Sequence, residues 1–186
     1  MSVNLAKHYF TVSEYERMGE TGVFAPEARL ELIEGEIIEM SPIGSRHAAC
    51  VNLISDVFND QLRGKAIVRT QNPIVLDDFS EPEPDVSVLK FREDYYRDAH
   101  PRPQDVLLVS EVAETTVPFD RQIKLPLYAR VAIPEYLIFN LADEVVEYYS
   151  QPEMGSYQNT SLLKRGDQFE SAVVTGLSFD LETILG

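Results

Sequence analysis

Three features of the sequence predict a mixed α/β or α+β fold, with helices covering a mixed β-sheet. The stretch "GSRHAACVNLISDVFNDQLRG" places His47, Val51, Ile54 and Phe58 at helical spacing, which marks a long amphipathic helix. The run "DVLLVSEV" at 105–112 is apolar enough to lie in the centre of a sheet. Between it and the strand-like "EYLIFNL" stands "PFDRQIKLPLYARVA", which reads as helix, so strand, helix and strand follow one another. At 186 residues, with 44% hydrophobic and 25% charged content, a single domain over residues 1–186 accounts for the chain.

Near the start of the chain, Ser13 with Glu16 three residues on predicts a capping box that opens a short helix. In "RLELIEGEIIEMSP", Leu30 and Leu32 precede Glu34-Gly35 and Ile37 and Ile38 follow it, which predicts a β-hairpin with a tight turn. Ser45 is the expected cap of the long helix, and Gly64 falls just past its end. Short strands are expected at "AIVRT", "PIVLD" and "DVSVLK", and "HPRPQ" at 100–104 reads as a connection. Inside the second helix, Pro126 removes one backbone hydrogen bond and is expected to bend it. The stretches "EYLIFNL", "EVVEYYS", "GSYQNTSLL" and "QFESAVV" then read as strands joined by turns. No internal repeat, low-complexity tract or Gly/Ser-rich linker interrupts this order.

The net charge of −15 works against nucleic-acid binding, because a polyanion gains nothing from counterion release at another polyanion. The charge is uneven, however. Residues 63–69 hold Arg63, Lys65 and Arg69 without an acid, and residues 121–130 hold Arg121, Lys124 and Arg130 without one. Such patches either touch phosphate or are solvated helix ends. The single cysteine, Cys50, excludes an intrachain disulfide, and the first twenty residues carry neither a signal nor a transit pattern. A reducing cytoplasm is the expected location. No apolar run approaches the roughly 20 residues that span a bilayer, so no membrane partner is expected.

Pro84 and Asp85 head the run "DVSVLK", and Glu111 stands near the end of "DVLLVSEV". A sheet fixes the backbone of a strand-end carboxylate while its side chain reaches a cleft. Mg²⁺ prefers such oxygens and keeps several waters, so two acids on neighbouring strands suit a metal site. On the plainer reading, Asp85 ends a turn and Glu111 is a solvated strand end. Asp120, Lys124 and Tyr128, at i, i+4 and i+8, project from one face of the second helix. Lys124 could orient or deprotonate water and offset charge on a phosphorane while Asp120 holds it. Alternatively the two form a surface pair worth about 0.3 kcal/mol. His47 points inward near a helix start, either to a phosphate or site carboxylate or simply into the core. His8 and His100 stand apart in sequence, and there is no zinc-like spacing, Ser nucleophile motif, Walker loop or GxGxxG.

Taken in order, "RLELIEGEIIEMSPIGSRH", "EPDVSV" and "VSEVAETTVPFDRQIKLPLYARVAIPEYLIF" resemble the PD-(D/E)XK nuclease superfamily. More narrowly they resemble the Uma-type family, catalogued as "putative restriction endonuclease" and long as a domain of unknown function. The resemblance runs from about "TVSEYERM" to "VVEYYS". It implies a restriction-endonuclease-like core with an N-terminal hairpin, extra C-terminal strands, and Asp85 and Glu111 as ligands of Mg²⁺ or Mn²⁺. The superfamily keeps a lysine two residues after the acid, where this chain has Ala113. The family pattern D…K…Y maps onto Asp120, Lys124 and Tyr128, which makes Lys124 a migrated replacement. Glu31 matches the acid before the family's L-I-x-G turn, with Glu34 and Glu36 as nearby alternatives, and His47 matches its helix-start histidine.

The expected function is therefore a Mg²⁺-dependent endonuclease acting on nucleic acid, DNA in the first place, as a homodimer. A bound cation neutralises local carboxylates, so the overall charge does not forbid phosphate chemistry. The alternative is a nuclease-fold binding or regulatory module without turnover, which the net charge and the alanine at 113 favour. Metal-assisted hydrolysis of another phosphate or acyl substrate is a third option.

Overall fold

Helix α1 (Val12–Glu20) leads into a hairpin of β1 (Leu30–Ile33) and β2 (Glu36–Glu39), followed by the long helix α2 (Ser45–Leu62). Residues 6–185 are described by the computed structural model. Six strands then form the central sheet: β3 (Ala66–Thr70), β4 (Val86–Lys90), β5 (Val106–Ala113), β6 (Glu135–Asn140), β7 (Val145–Glu153) and β8 (Ser156–Leu163). They lie side by side in chain order, and the β5–β6 pair is parallel whereas the other neighbours are antiparallel. A parallel pair needs a crossover. It is made by α3 (Val117–Phe119), a π-helical turn (Asp120–Lys124) and α4 (Leu125–Arg130).

Side chains on β5 alternate between two cores, as the two-residue strand period requires. Leu108 and Val112 join Val51, Ile54 and Phe58 of α2 on one face. Val109 and Ala113 join Leu127 and Tyr128 of α4 and Ile33 of the hairpin on the other. Glu111 shares the parity of this second set, so it emerges under the crossover and the hairpin. A separate two-stranded ribbon, β9 (Gln168–Glu170) with β10 (Ser178–Asp180), and helix α5 (Leu181–Leu185) complete the chain. Among the described residues no helix is long and apolar enough to cross a membrane.

The hairpin turn forms as the sequence suggests. Glu34 and Gly35 have φ of 50° and 79°, the double left-handed pair of a two-residue hairpin loop. Gly35 is also required sterically, since a Cβ there would lie 2.6 Å from Tyr9 Cβ. Gly35→Ala is therefore expected to destabilise the protein by about 1–3 kcal/mol. Urea unfolding at constant m-value would measure it, and an unchanged midpoint would count against this packing.

Several local expectations are corrected. The capping residue of α1 is Thr11, not Ser13: Thr11 Oγ1 accepts from the Glu14 N–H at 3.3 Å, and Glu14 Oε2 accepts from the Thr11 N–H at 2.8 Å. Long-range bonds decide between the two, because the Phe10 and Val12 N–H groups donate to Gly35 and Asp78 carbonyls and hold the preceding chain extended. Helix α2 starts from Gly44, with Ser45 already in its first turn and no side-chain cap. "PIVLD" forms no regular strand. Its Ile74 and Leu76 N–H groups donate to Pro82 and Ser80, but Val75 donates the other way, to Pro101, and Pro82 and Pro84 have no N–H to continue a ladder. Of "QFESAVV" only the first three residues are strand.

The helix around Pro126 bends by widening rather than breaking. Pro126 cannot donate to Gln122, and the turn before it is π-helical, with the Leu125 N–H reaching back to Asp120. The basic stretches are paired with acids only in part, and Lys65 and Arg69 instead donate to the Gln61 carbonyl and to Asn72. Arg121 binds Glu147, Arg130 binds Glu34, and Arg63 lies near Asp60, while Lys124 goes inward.

Candidate active site

Lys124 stands at the centre of the site, with its ammonium donating to Glu31 Oε1 at 3.0 Å and Glu111 Oε1 at 2.9 Å. It is 1% exposed, and Glu31 is fully buried. Three separate elements meet there. Glu31 comes from the second position of β1, Glu111 from β5, and Lys124 from the end of the π turn. Tyr128, one turn further on, donates its hydroxyl to Glu111 Oε1 at 3.0 Å. Among the three candidate third acids, only Glu31 reaches the lysine. Glu34 pairs with Arg130 and Glu36 with Lys7 at the surface.

Asp85 lies just before β4, and its carboxylate is held from three sides. The Val112 N–H donates to Oδ2 at 2.9 Å, His47 Nε2 lies 3.0 Å from the same oxygen, and Gln71 Nε2 donates to Oδ1 at 3.1 Å. His47 thus points to a site carboxylate, one of the roles its helical position allowed. Burial pushes the Asp85 carboxyl up, but His47, the Val112 N–H and Gln71 together hold it below the usual aspartate value. The Asp85 N–H faces Glu111 Oε2 at 3.4 Å, which brings the two acids side by side across β4 and β5.

The remaining electrostatics follow from enclosure. Burial drives Glu111 well above the ordinary carboxylate range; Lys124 opposes that rise, while Asp85, Asp120 and Glu31 add to it. Burial alone would strip the proton from Lys124, yet the carboxylates of Glu111, Glu31 and Asp120 outweigh it and hold the ammonium above the usual lysine value. Lys124 is consequently a fixed cation, not a base that removes a proton from water at neutral pH. Asp120 does not hold it by a direct bond either. In the widened π turn, Asp120 Oδ2 accepts from Thr116 at 3.3 Å, and burial pushes this carboxyl up to about 6.

Asp85, Glu111, Asp120, Lys124 and His47 all line one cavity of about 280 Å³, walled by the loop from Glu39 to Gly44 and by Thr115 and Thr116. Gln71 and the Val112 N–H were missed at the sequence level. Nothing in "AIVRTQNP" marks Gln71, which follows its strand with φ of 51° and grips Asp85 through both side chain and backbone.

A mixed sheet with an aspartate heading one central strand, a glutamate on the next and a buried lysine supplied by the crossover defines a nuclease-fold protein of the restriction-endonuclease-like class. The chain belongs to the Uma2 family, described as "Putative restriction endonuclease", whose model matches residues 12–182. Among solved structures, a protein of Anabaena variabilis titled a putative nuclease belonging to DUF820 is similar in fold, with a TM-score of 0.72. The two are 14% identical, and the match covers 95% of this chain and 97% of that one. No match is found among curated proteins.

Proposed function

We propose that this protein is a divalent-cation-dependent phosphodiesterase acting on nucleic acid, DNA in the first place, in a reducing cytoplasm. The observation that carries this reading is the approach of Asp85 to Glu111 at the wall of a cavity whose floor is a fixed ammonium. The donor set fits a hard cation. Glu111 Oε1 is taken by Lys124 and Tyr128, whereas Oε2 has only the long contact from the Asp85 N–H. Two acids lining one cavity, one of them driven up by burial and by its acidic neighbours, are the arrangement that a cation relieves.

Among the described residues no group of three or more His, Cys, Asp or Glu side chains is set to hold a metal. That favours Mg²⁺ or Mn²⁺, held by one or two carboxylates and several waters, over a closed protein cage. Such an ion would sit on Asp85 and Glu111 and polarise a phosphate oxygen. The chain's own groups do the rest. His47, Gln71 and the Val112 N–H orient Asp85, and Lys124 keeps positive charge beside Glu111. Asp120 offers a carboxylate, pushed by burial up to about 6, that can take a proton from water.

The second reading, a binding or regulatory module without turnover, is favoured by a specific feature. Besides the site acids, Glu39, Glu83 and Glu114 line the cavity, against Arg29 and Lys124. Plasmid and short duplexes in Mg²⁺ or Mn²⁺, treated with the protein and with Asp85→Asn and Glu111→Gln, separate the two. Cleavage is expected to fall on the order of a hundredfold or more in each variant. Equal cleavage by all three would mean contamination and would sink the catalytic reading.

A further inference from the structure

Arg29 stands two residues before Glu31 in the hairpin. The Met40 N–H donates to the Arg29 carbonyl at 2.8 Å, which carries the pairing of β1 with β2 one step outward. Residues two apart in a paired strand share a face, so Arg29 follows the direction of Glu31 and lies about 6.6 Å further along. Glu31 is fully buried against Lys124, whereas Arg29 is half-buried and lines the wall of the same cavity with Met40 and Ser41. Its Nη1 donates to the Ser41 carbonyl at 3.0 Å, which fixes the guanidinium against the loop and engages one of its five N–H donors.

The other cations of this region are already engaged. Lys124 donates to Glu31 and Glu111, and Arg46, at the start of α2, reaches Glu114 and Glu144 at 3.4 Å each. Arg29 and Lys124 are the basic side chains of the cavity wall, and among the described residues Arg29 is in no ion pair. A cavity that also holds Glu39, Glu83 and Glu114 repels a phosphate unless positive charge is set in it. A bound metal would supply part of that charge, and Arg29 is the chain's own uncommitted part.

We propose that Arg29 is a phosphate-binding residue, whose guanidinium takes the non-bridging oxygens of a phosphate flanking the one that is cut and so sets the register of the nucleic-acid strand. This rests on the phosphodiesterase reading and names a contact within it. The planar fork of arginine matches two phosphate oxygens at once, which a lysine ammonium does not. Because Ser41 orders the fork beforehand, less freedom is lost when the strand enters. Arg29 lies at the outer end of the hairpin face, away from Lys124, and this assigns it a flanking phosphate. Such a contact is equally strong in the ground state and the transition state, so it acts on KM far more than on kcat.

Labelled DNA duplex and single-stranded RNA test this, titrated in Ca²⁺ at several salt concentrations and cleaved in Mn²⁺. For the nucleic acid that wild type cleaves, Arg29→Gln is expected to weaken binding about tenfold or more, the loss of a charge-assisted contact. The slope of log affinity against log salt should become shallower by about one contact. KM should rise with the dissociation constant, and kcat should change far less. Arg29→Lys keeps the charge and is expected to restore the slope but only part of the affinity. Circular dichroism and Mn²⁺ binding in both variants should match wild type, which separates a lost contact from a collapsed hairpin. Unchanged binding and KM in Arg29→Gln, beside active wild type, overturn the proposal and leave the phosphodiesterase reading standing. So does a loss confined to kcat, or weaker binding with the wild-type salt slope, which would mean that Arg29 acts only through the loop. A wild type that neither binds nor cuts either nucleic acid removes both readings.

Discussion

Replacing Lys124 with methionine is expected to destabilise the protein by about 3–5 kcal/mol at pH 7, the cost of stranding a buried charge. Methionine roughly fills the aliphatic volume, so little of the loss is cavity. What disappears is the ammonium that donates to Glu31 and Glu111, both of which are almost wholly enclosed. Glu31 Oε2 already lacks a partner, so only the Glu83 N–H, which donates to Oε1 at 2.9 Å, would be left to hold that carboxylate. The pH dependence separates this from a packing defect. In wild type, the folded lysine value is raised, so its stabilisation is fully present below about 10.5 and is lost only as pH rises through the folded value. In the variant, the two glutamates must be buried charged or hold protons, so the deficit is expected to be large at pH 7 and to shrink as pH falls toward 4. Urea unfolding at pH 7, 5.5 and 4 measures it. A loss below about 1 kcal/mol, or one equal at all three pH values, would mean that the ion cluster is not what holds the crossover on the sheet.

Much of this site was legible because it sits on regular elements. The alternation in "DVLLVSEV" places Glu111 on the face opposite Leu108 and Val112, and "GSRHAACVNLISDVF" places His47 one turn from Val51. What could not be read was which acid the lysine meets. Spacing puts Asp120 and Lys124 on one helical stripe, but Pro126 downstream leaves a π turn whose extra residue changes that stripe, and Glu31 is 93 residues away in the chain. That a lysine on the crossover reaches Glu111 was legible only through the family resemblance, since a local pattern cannot say how a crossover packs.

Ambiguity elsewhere has the same origin. "TVSEYE" contains two overlapping Ser/Thr-x-x-Glu boxes, at Thr11 and Ser13, and local chemistry satisfies either. Contacts to Gly35 and Asp78 choose the first. "PIVLD" has the apolar content of a strand, and Ile74, Val75 and Leu76 are indeed buried. Its hydrogen bonds point to two different neighbours, however, because the segment opposite is "EPEP". Gln71 belongs to the same irregular region, and its grip on Asp85 depends on a left-handed backbone that no sequence pattern announces.

Mn²⁺ binding is expected to strengthen with pH and to be lost in Asp85→Asn, with affinity falling about a hundredfold or more. The sign follows from the two acids. Asp85 is held below the usual aspartate value and is charged at any pH of interest, so it adds no pH dependence above about 5. Burial raises Glu111 above the ordinary range, with Lys124 opposing the rise, and any fraction that holds a proton must lose it before it can take a cation. While that proton is present, affinity rises by up to about tenfold per pH unit. Asp120, with its carboxyl at about 6, adds a second dependence below that pH, because its charge favours a nearby cation only once it is ionised. Asp120→Asn should remove this second part and leave the first. Calorimetry in two buffers of different ionisation enthalpy counts the protons released on binding. Proton release on binding that vanishes in Glu111→Gln supports Glu111 as a ligand, whereas binding that Glu111→Gln leaves unchanged would place the cation elsewhere. The same measurement bears on Lys124. Its ammonium lies 2.9 Å from Glu111 Oε1, so a cation on the Oε2 side shares the carboxylate with the lysine rather than displacing it. Tyr128 also donates to Oε1, and both donors hold that oxygen away from the cation. Tyr128→Phe should then lower Mn²⁺ affinity only modestly, by less than about tenfold, through lost orientation of Glu111.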